Sequence, residues 1–260
     1  MSDFPKNLFL DIETAPTSRN DIVEKLAEDI KPPGNIKKEE SKAKWMEENR
    51  SAALWDRVKA TGLDGTLGEL FCIGFAFDDE RPSVIARTDI GFEAGNTPRT
   101  GNQQANSQGH QDIYTANEAT LLKLFFDRLA ERCKRKDGHY MEPTFIGHWI
   151  TGFDLRFIWQ RAVINQVLPT VELPINAKPW ETKKVFDTKT QWTGLHSRNS
   201  SGSLDMLSMV LGAQQKADID GSKVADSLAR GEGPQVMEYC AADVERTRHI
   251  HKMITFQGAA

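Results

Sequence analysis

The sequence predicts an α/β fold, a mixed β-sheet flanked by helices, with a helical insertion after the first strand. Three observations predict it. Short β-prone apolar runs come first, later ones alternate with amphipathic helical segments, and a polar, helix-prone stretch interrupts them near the N-terminus. Leu8-Phe9-Leu10-Asp11-Ile12-Glu13 is an apolar run that turns polar at its tip, which reads as a buried strand ending in acids. Residues 17–66 change character. Arg19–Ile30 and Lys38–Lys59 carry Glu, Lys, Ala and Met at helical spacing on either side of Lys31-Pro32-Pro33-Gly34, predicting two or three inserted helices. Leu70–Phe77 and Ser83–Arg87 flank a polar turn and predict a hairpin beside the first strand.

The stretch around residues 91–112 is rich in Gly, Asn, Gln, Thr and Ser and predicts a flexible surface loop. Asn117–Cys133 places Leu121, Leu122, Leu124, Phe125 and Leu129 on one broad helical face. Thr144–His148 predicts a strand, Asp154–Val163 a helix, and Val185–Asp187 a short strand. Ser203–Leu211, Gly221–Arg230 and Pro234–Thr255 predict three further helices, with Pro234 suited to a first turn. One domain over residues 1–260 is the expectation, since a chain this long buries roughly 70% or more of its unfolded surface.

Composition narrows the function. Lys and Arg number 33 against 37 Asp and Glu, a net charge of −4, so a broad cationic field coating nucleic acid is excluded. Cys72, Cys133 and Cys240 form no CxxC pair, which points to reduced thiols rather than a disulfide framework or a zinc site. No apolar stretch reaches about 18 residues and no signal-like start is present, so no membrane association and a cytoplasmic location are expected.

Asp11 and Glu13 stand at i and i+2 of a strand and project from one face. Paired carboxylates repel unless a cation sits between them, and Mg²⁺ or Mn²⁺ suits such oxygens. A solvated strand end is the alternative for this pair alone. Asp154 opens a helix after a strand, where it serves either as an N-cap or as a metal-binding acid. Tyr239 and Asp243, at i and i+4, share a helical face, and Cys240, Ala241 and Ala242 between them are small enough for close approach to a sheet.

Together these pieces resemble the DEDD superfamily of 3′–5′ exonucleases, with its ribonuclease H-like fold. More closely, the chain resembles the predicted 3′–5′ exonucleases related to the proofreading domain of family-B DNA polymerases. Leu10-Asp11-Ile12-Glu13-Thr14 matches the first motif, Gly147-His148 followed by Phe153-Asp154 the second, and Tyr239 with Asp243 the tyrosine form of the third. Asp220-Gly221-Ser222-Lys223-Val224 adds to the likeness. The resemblance implies that Asp11, Glu13, Asp154 and Asp243 hold two divalent cations, Mg²⁺ or Mn²⁺, about 3.5–4 Å apart for hydrolysis of a phosphodiester. It implies that Tyr239 orients the attacking water and that Thr14 contacts the terminal nucleotide, and Trp149 and Phe153 are further candidate substrate-binding residues. Trp149 stands where the family usually has Asn. Base stacking and packing under its own loop are both open to it.

The implied partner is nucleic acid, with DNA 3′ ends first. An exoribonuclease and a non-catalytic binding module of the same fold are the alternatives. Lys31, Lys37, Lys38, Lys42 and Lys44, then Lys134-Arg135-Lys136, then Arg156 with Arg161, and Lys178, Lys183, Lys184 and Lys189 are candidate substrate contacts, each also readable as a solvated face. His148 reads as a packed neighbour of the site. His110, His139, His196, His249 and His251 show no metal spacing.

Overall fold

The N-terminal apolar run forms strand β1 (Asn7–Ala15), and the rest of the fold is arranged about it. The computed structural model describes residues 5–93, 95–101, 103–105, 111–134, 141–194, 202–214 and 221–257. After β1 come the inserted helices α1 (Asn20–Glu28) and α2 (Glu39–Thr61), then β2 (Glu69–Phe77) and β3 (Ser83–Arg87). β4 (Gln103–Ala105), β5 (Gln111–Thr115), α3 (Glu118–Cys133), β6 (Thr144–Gly147) and α4 (Asp154–Ile164) follow. The chain continues through β7 (Val185–Asp187), α5 (Thr188–Thr193), α6 (Leu204–Val210), a 3-10 turn at Gly221–Lys223, α7 (Val224–Ala229) and α8 (Gly233–Ile254).

Among the described residues seven strands form one mixed sheet, in the order β4-β5-β3-β2-β1-β6-β7. β1 runs antiparallel to β2 and parallel to β6, so it lies inside the sheet. Alternation along β1 sends Leu8, Leu10 and Ile12 into a core with Leu121, Phe125, Leu155 and Ile158 of α3 and α4. Phe9 faces the other way and packs with Ile146 and with Val244 of α8. α8 lies close to the sheet. Gly74 of β2 pairs with Asp11, and a Cβ on Gly74 would come within 2.7 Å of Cys240 Sγ. Glycine on the strand and small residues on the helix let the two backbones meet.

A buried ion pair clips α3, α4 and β2 together. Glu118 receives Arg161 in bidentate fashion, at 2.8 and 2.7 Å, and also accepts from the Leu70 backbone N–H and the Asn165 side chain. Arg161 is therefore structural and unavailable to a substrate.

The inserted helices, the hairpin and the strands at residues 144–147 and 185–187 lie where the sequence predicts them. The predicted loop differs. β4 forms within it, and β5 starts at its end by pairing in parallel with β3, Ser83 opposite Gln111 through Arg87 opposite Thr115. Gln111-Asp112-Ile113-Tyr114-Thr115 opens on two polar residues at the end of a Gly- and Asn-rich stretch and shows no apolar run, and the hydrogen bonds of its parallel ladder come from a strand distant in sequence. Asp154 also differs from its N-cap reading. Phe153 is the N-cap, and Asp154 is the first residue of α4. Lys134 is described, whereas Arg135 and Lys136, like His110, His139, His196 and Asp220, lie outside the described residues. Among the described residues no helix is long and apolar enough to cross a membrane.

His251 of α8 stands edge-on to Phe9 at 5.6 Å and to Phe186 at 4.7 Å. Burial first, and the Lys252 charge second, push its imidazole from 6.5 down to about 4. The folded state therefore binds fewer protons than the unfolded state between those values. The contribution of a neutral His251 is present above pH 6.5 and is lost as pH falls towards 4. His251→Phe is expected to flatten the fall in Tm over that window. An equally steep fall in the variant would refute this account.

Candidate active site

The site is assembled by β1 and α8. On β1 the alternation that turns Phe9 towards α8 turns Asp11 and Glu13 the same way. On α8 the i, i+4 spacing stacks Tyr239 over Asp243 on the face that meets them. Each of Asp11, Glu13 and Asp243 offers a carboxylate oxygen, and these oxygens all lie within 4.8 Å of one another. Cys240 Sγ reaches the Asp11 carbonyl at 3.6 Å, which fixes the helix against this part of the strand. Gly221 lies beside the Tyr239 hydroxyl, 3.9 Å from where a Cβ would stand, so part of the segment ending in Val224 borders the site.

Asp154 arrives from the other side. β6 pairs with β1 only as far as Phe9 opposite Ile146, after which the chain turns through Gly147–Gly152 into α4. Beyond the end of that ladder the Asp154 carboxylate comes up beside β1, where the Ile12 backbone amide is among the groups that partly offset the rise in its pKa. Asp154 is outside the tight trio, yet after burial its charge is the largest influence raising Asp11.

The turn is under tension. Trp149 has φ +64°, a left-handed conformation in which Asn is far more at home than Trp. That accounts for the resemblance's usual Asn at this place. Asp187, at the tip of β7, holds the turn. Its carboxylate accepts from Trp149 N–H and Thr151 N–H at 3.1 Å each, from the Thr151 hydroxyl at 2.5 Å, and from Thr190 N–H as the cap of α5.

The electrostatics describe crowded acids. Burial, then the Asp154 charge, drives the Asp11 carboxyl well above the usual carboxylate range. Burial pushes Asp154 up to about 7, and the charge of Asp187 adds to this. Burial, then Glu13 and Asp11, pushes the Tyr239 hydroxyl above its ordinary value, which makes it a hydrogen-bond donor and a poor base. Arg246, one turn past Asp243, is the buried cation in contact with this group. It pairs with Asp243 and, at 2.8 Å, with Asp205. Asp11 Oδ2 is buried with no hydrogen-bond partner. An orphaned carboxylate oxygen within an all-oxygen donor set fits a hard divalent cation.

The other expected residues are placed as follows. The Thr14 hydroxyl donates to the Gly62 carbonyl at 2.7 Å, joining β1 to the end of α2. Trp149 is half exposed. Phe153 stacks near-parallel to it at 6.3 Å, Lys189 Nζ sits 4.5 Å from its ring centroid, and its indole covers Gly152. The His148 ring pairs with the Thr188 hydroxyl at 3.0 Å, and burial pushes its imidazole down to about 4, so it is a neutral packed neighbour. Of the other basic candidates, Lys184 is paired with Glu181, and Arg156 is held by the Ile175 carbonyl and Asn176. Sequence reasoning missed Asp187 and Arg246. The only signals for them are an acid closing a short strand, and an arginine three residues after a candidate ligand.

A family model described as a predicted 3′–5′ exonuclease related to the exonuclease domain of PolB matches residues 102–258. The matched residues include Asp154, Tyr239 and Asp243. β1 with Asp11 and Glu13 precedes them and is joined to them by the geometry above. No curated protein matches the chain. The mixed sheet flanked by helices is the α/β, ribonuclease H-like arrangement of such exonucleases.

Asp187→Ala strips the turn of its acceptor. It is expected to lower stability by about 1–3 kcal/mol in urea unfolding and to speed amide exchange at Trp149 and Thr151. Unchanged exchange at both amides would show that the turn is held by other means.

Proposed function

This chain belongs to the family of predicted 3′–5′ exonucleases related to the exonuclease domain of PolB, and on that footing we propose that it trims 3′ ends of DNA, single strands foremost, to nucleoside 5′-monophosphates. The observation that carries the proposal is the convergence of Asp11, Glu13 and Asp243 oxygens within 4.8 Å, with Asp154 near enough that its charge is the largest one raising Asp11. Because β1 supplies two of these acids, the proposed exonuclease domain spans residues 1–260 rather than the matched residues alone.

Asp11, Glu13, Asp154 and Asp243 would hold two divalent cations, Mg²⁺ or Mn²⁺. When bound, these supply acidification of the attacking water and neutralisation of charge at the phosphate. The chain's own residues do the rest. Tyr239, protonated at neutral pH, donates a hydrogen bond that orients the water. The Thr14 and Phe153 positions border the acids on either side and meet the terminal nucleotide. Trp149 presents its exposed half to the neighbouring base, where stacking contributes about 1–3 kcal/mol.

A 5′-labelled DNA strand incubated with Mg²⁺ is expected to shorten progressively from its 3′ end, with EDTA stopping the reaction. A matched RNA strand run beside it reads the sugar preference, and preferential loss of the RNA would replace DNA by RNA in the proposal. Asp11→Ala and Asp243→Ala are each expected to abolish cleavage with an unchanged circular-dichroism spectrum. Wild-type rates in either would sink the assignment. Tyr239→Phe is expected to slow cleavage by about 10- to 100-fold, the scale of one positioned hydrogen bond. Complete loss with metal binding intact would contradict an orienting role.

A further inference from the structure

Arg246 is the feature of the site that the proposed chemistry does not use. Its side chain is 3% exposed and lies among acids. One guanidinium nitrogen contacts Asp243, and the other donates to Asp205 at 2.8 Å. The guanidinium stands 5.9 Å from the Tyr239 ring centroid, and its charge offsets part of the upward push on Asp11 and Tyr239. Nε and the nitrogen that faces Asp243 are buried and make no hydrogen bond, nor does Asp243 Oδ1, so the contact with Asp243 is one of charge, the hydrogen bond goes to Asp205, and the group is not locked by a complete set of bonds. Asp205, at the start of α6, is only half buried and belongs to no other part of the acid cluster. The guanidinium thus bridges one acid inside the cluster and one outside it.

From this bridge we propose that Arg246 is an internal counter-cation that competes with a divalent cation for Asp243. The inference rests on the reading that these acids bind metal. In the metal-free protein the guanidinium holds Asp243 beside Asp11 and Glu13, so the acids stay assembled. A divalent cation that takes Asp243 must share or displace that partner, against the repulsion of a like charge at ion-pair range. Asp205 retains the guanidinium when Asp243 is given up, so the exchange leaves no buried charge without a partner. Arg246 therefore weakens metal binding in the free protein while keeping the site formed.

The test is a Mn²⁺ titration of the full chain, stripped with EDTA and dialysed, without nucleic acid, read by the electron paramagnetic resonance of free Mn²⁺. Arg246→Met is expected to bind Mn²⁺ roughly ten-fold tighter or more than the wild type. It is also expected to lower Tm in EDTA and to regain it at saturating Mn²⁺. Equal or weaker binding overturns the proposal, as does a Tm deficit that Mn²⁺ leaves untouched. Asp205→Asn, at a half-exposed position, leaves the guanidinium to Asp243 alone and is expected to weaken Mn²⁺ binding. That weakening should vanish in the Arg246→Met background, because there is then no guanidinium to hand over. If it persists, Asp205 acts by charge alone and the exchange is refuted. A wild type that binds no Mn²⁺ at millimolar concentration overturns the metal reading itself. Binding by the wild type with no change in either variant overturns only the role of Arg246.

Discussion

Carboxylates brought together at the end of a buried strand repel one another by about 4 kcal/mol per pair at 4 Å and an effective dielectric of 20. The packing of α8 against β1 is what keeps them there. The helix can lie close enough because Gly74 has no side chain where Cys240 arrives, and because Cys240, Ala241 and Ala242 are small. The apolar contacts of Phe9, Ile146 and Val244 then hold the interface shut. The stress of this arrangement is visible in the raised Asp11 and Asp154 carboxyls, and its local relief is visible in Arg246.

Much of this was legible in the sequence because it rests on local periodicity. The i, i+2 spacing of Asp11 and Glu13 and the i, i+4 spacing of Tyr239 and Asp243 define faces by themselves. Apolar runs located β1, β2, β3, β6 and β7, and the amphipathic pattern located α3. What was not legible is what distant partners impose. β5 exists because β3 offers it a ladder, α5 because Asp187 caps it, and the Arg161–Glu118 clip because α3 and α4 meet. A basic residue after a motif looks alike in sequence whether it grips a phosphate or fills a core. Arg161 and Arg246 are both buried, and their roles follow from the acids they meet.

The departure at Trp149 also has a backbone reason. A left-handed residue is needed for the chain to double back from β6 into α4 and present Asp154. Asn adopts that conformation readily, whereas Trp is held in it by Asp187 and by contacts with Phe153, Gly152 and Lys189. The substitution thus keeps the turn and moves the work of supporting it from the residue itself to its surroundings.

α8 also governs how this chain tolerates changes in length. Each residue added to a helix turns everything after it by about 100°. Tyr239, Asp243 and Arg246 lie on one face of α8, and Cys240, Val244 and His251 follow on the stripe that meets the sheet. One inserted or deleted residue before Tyr239 would rotate the whole set out of place at once. The α1–α2 excursion carries no such phase relation, since it leaves and rejoins the sheet between β1 and β2. Size variation among chains built to this plan should accordingly gather in residues 17–66 and around 91–111, while the spacing from Val236 to His251 stays constant to the residue.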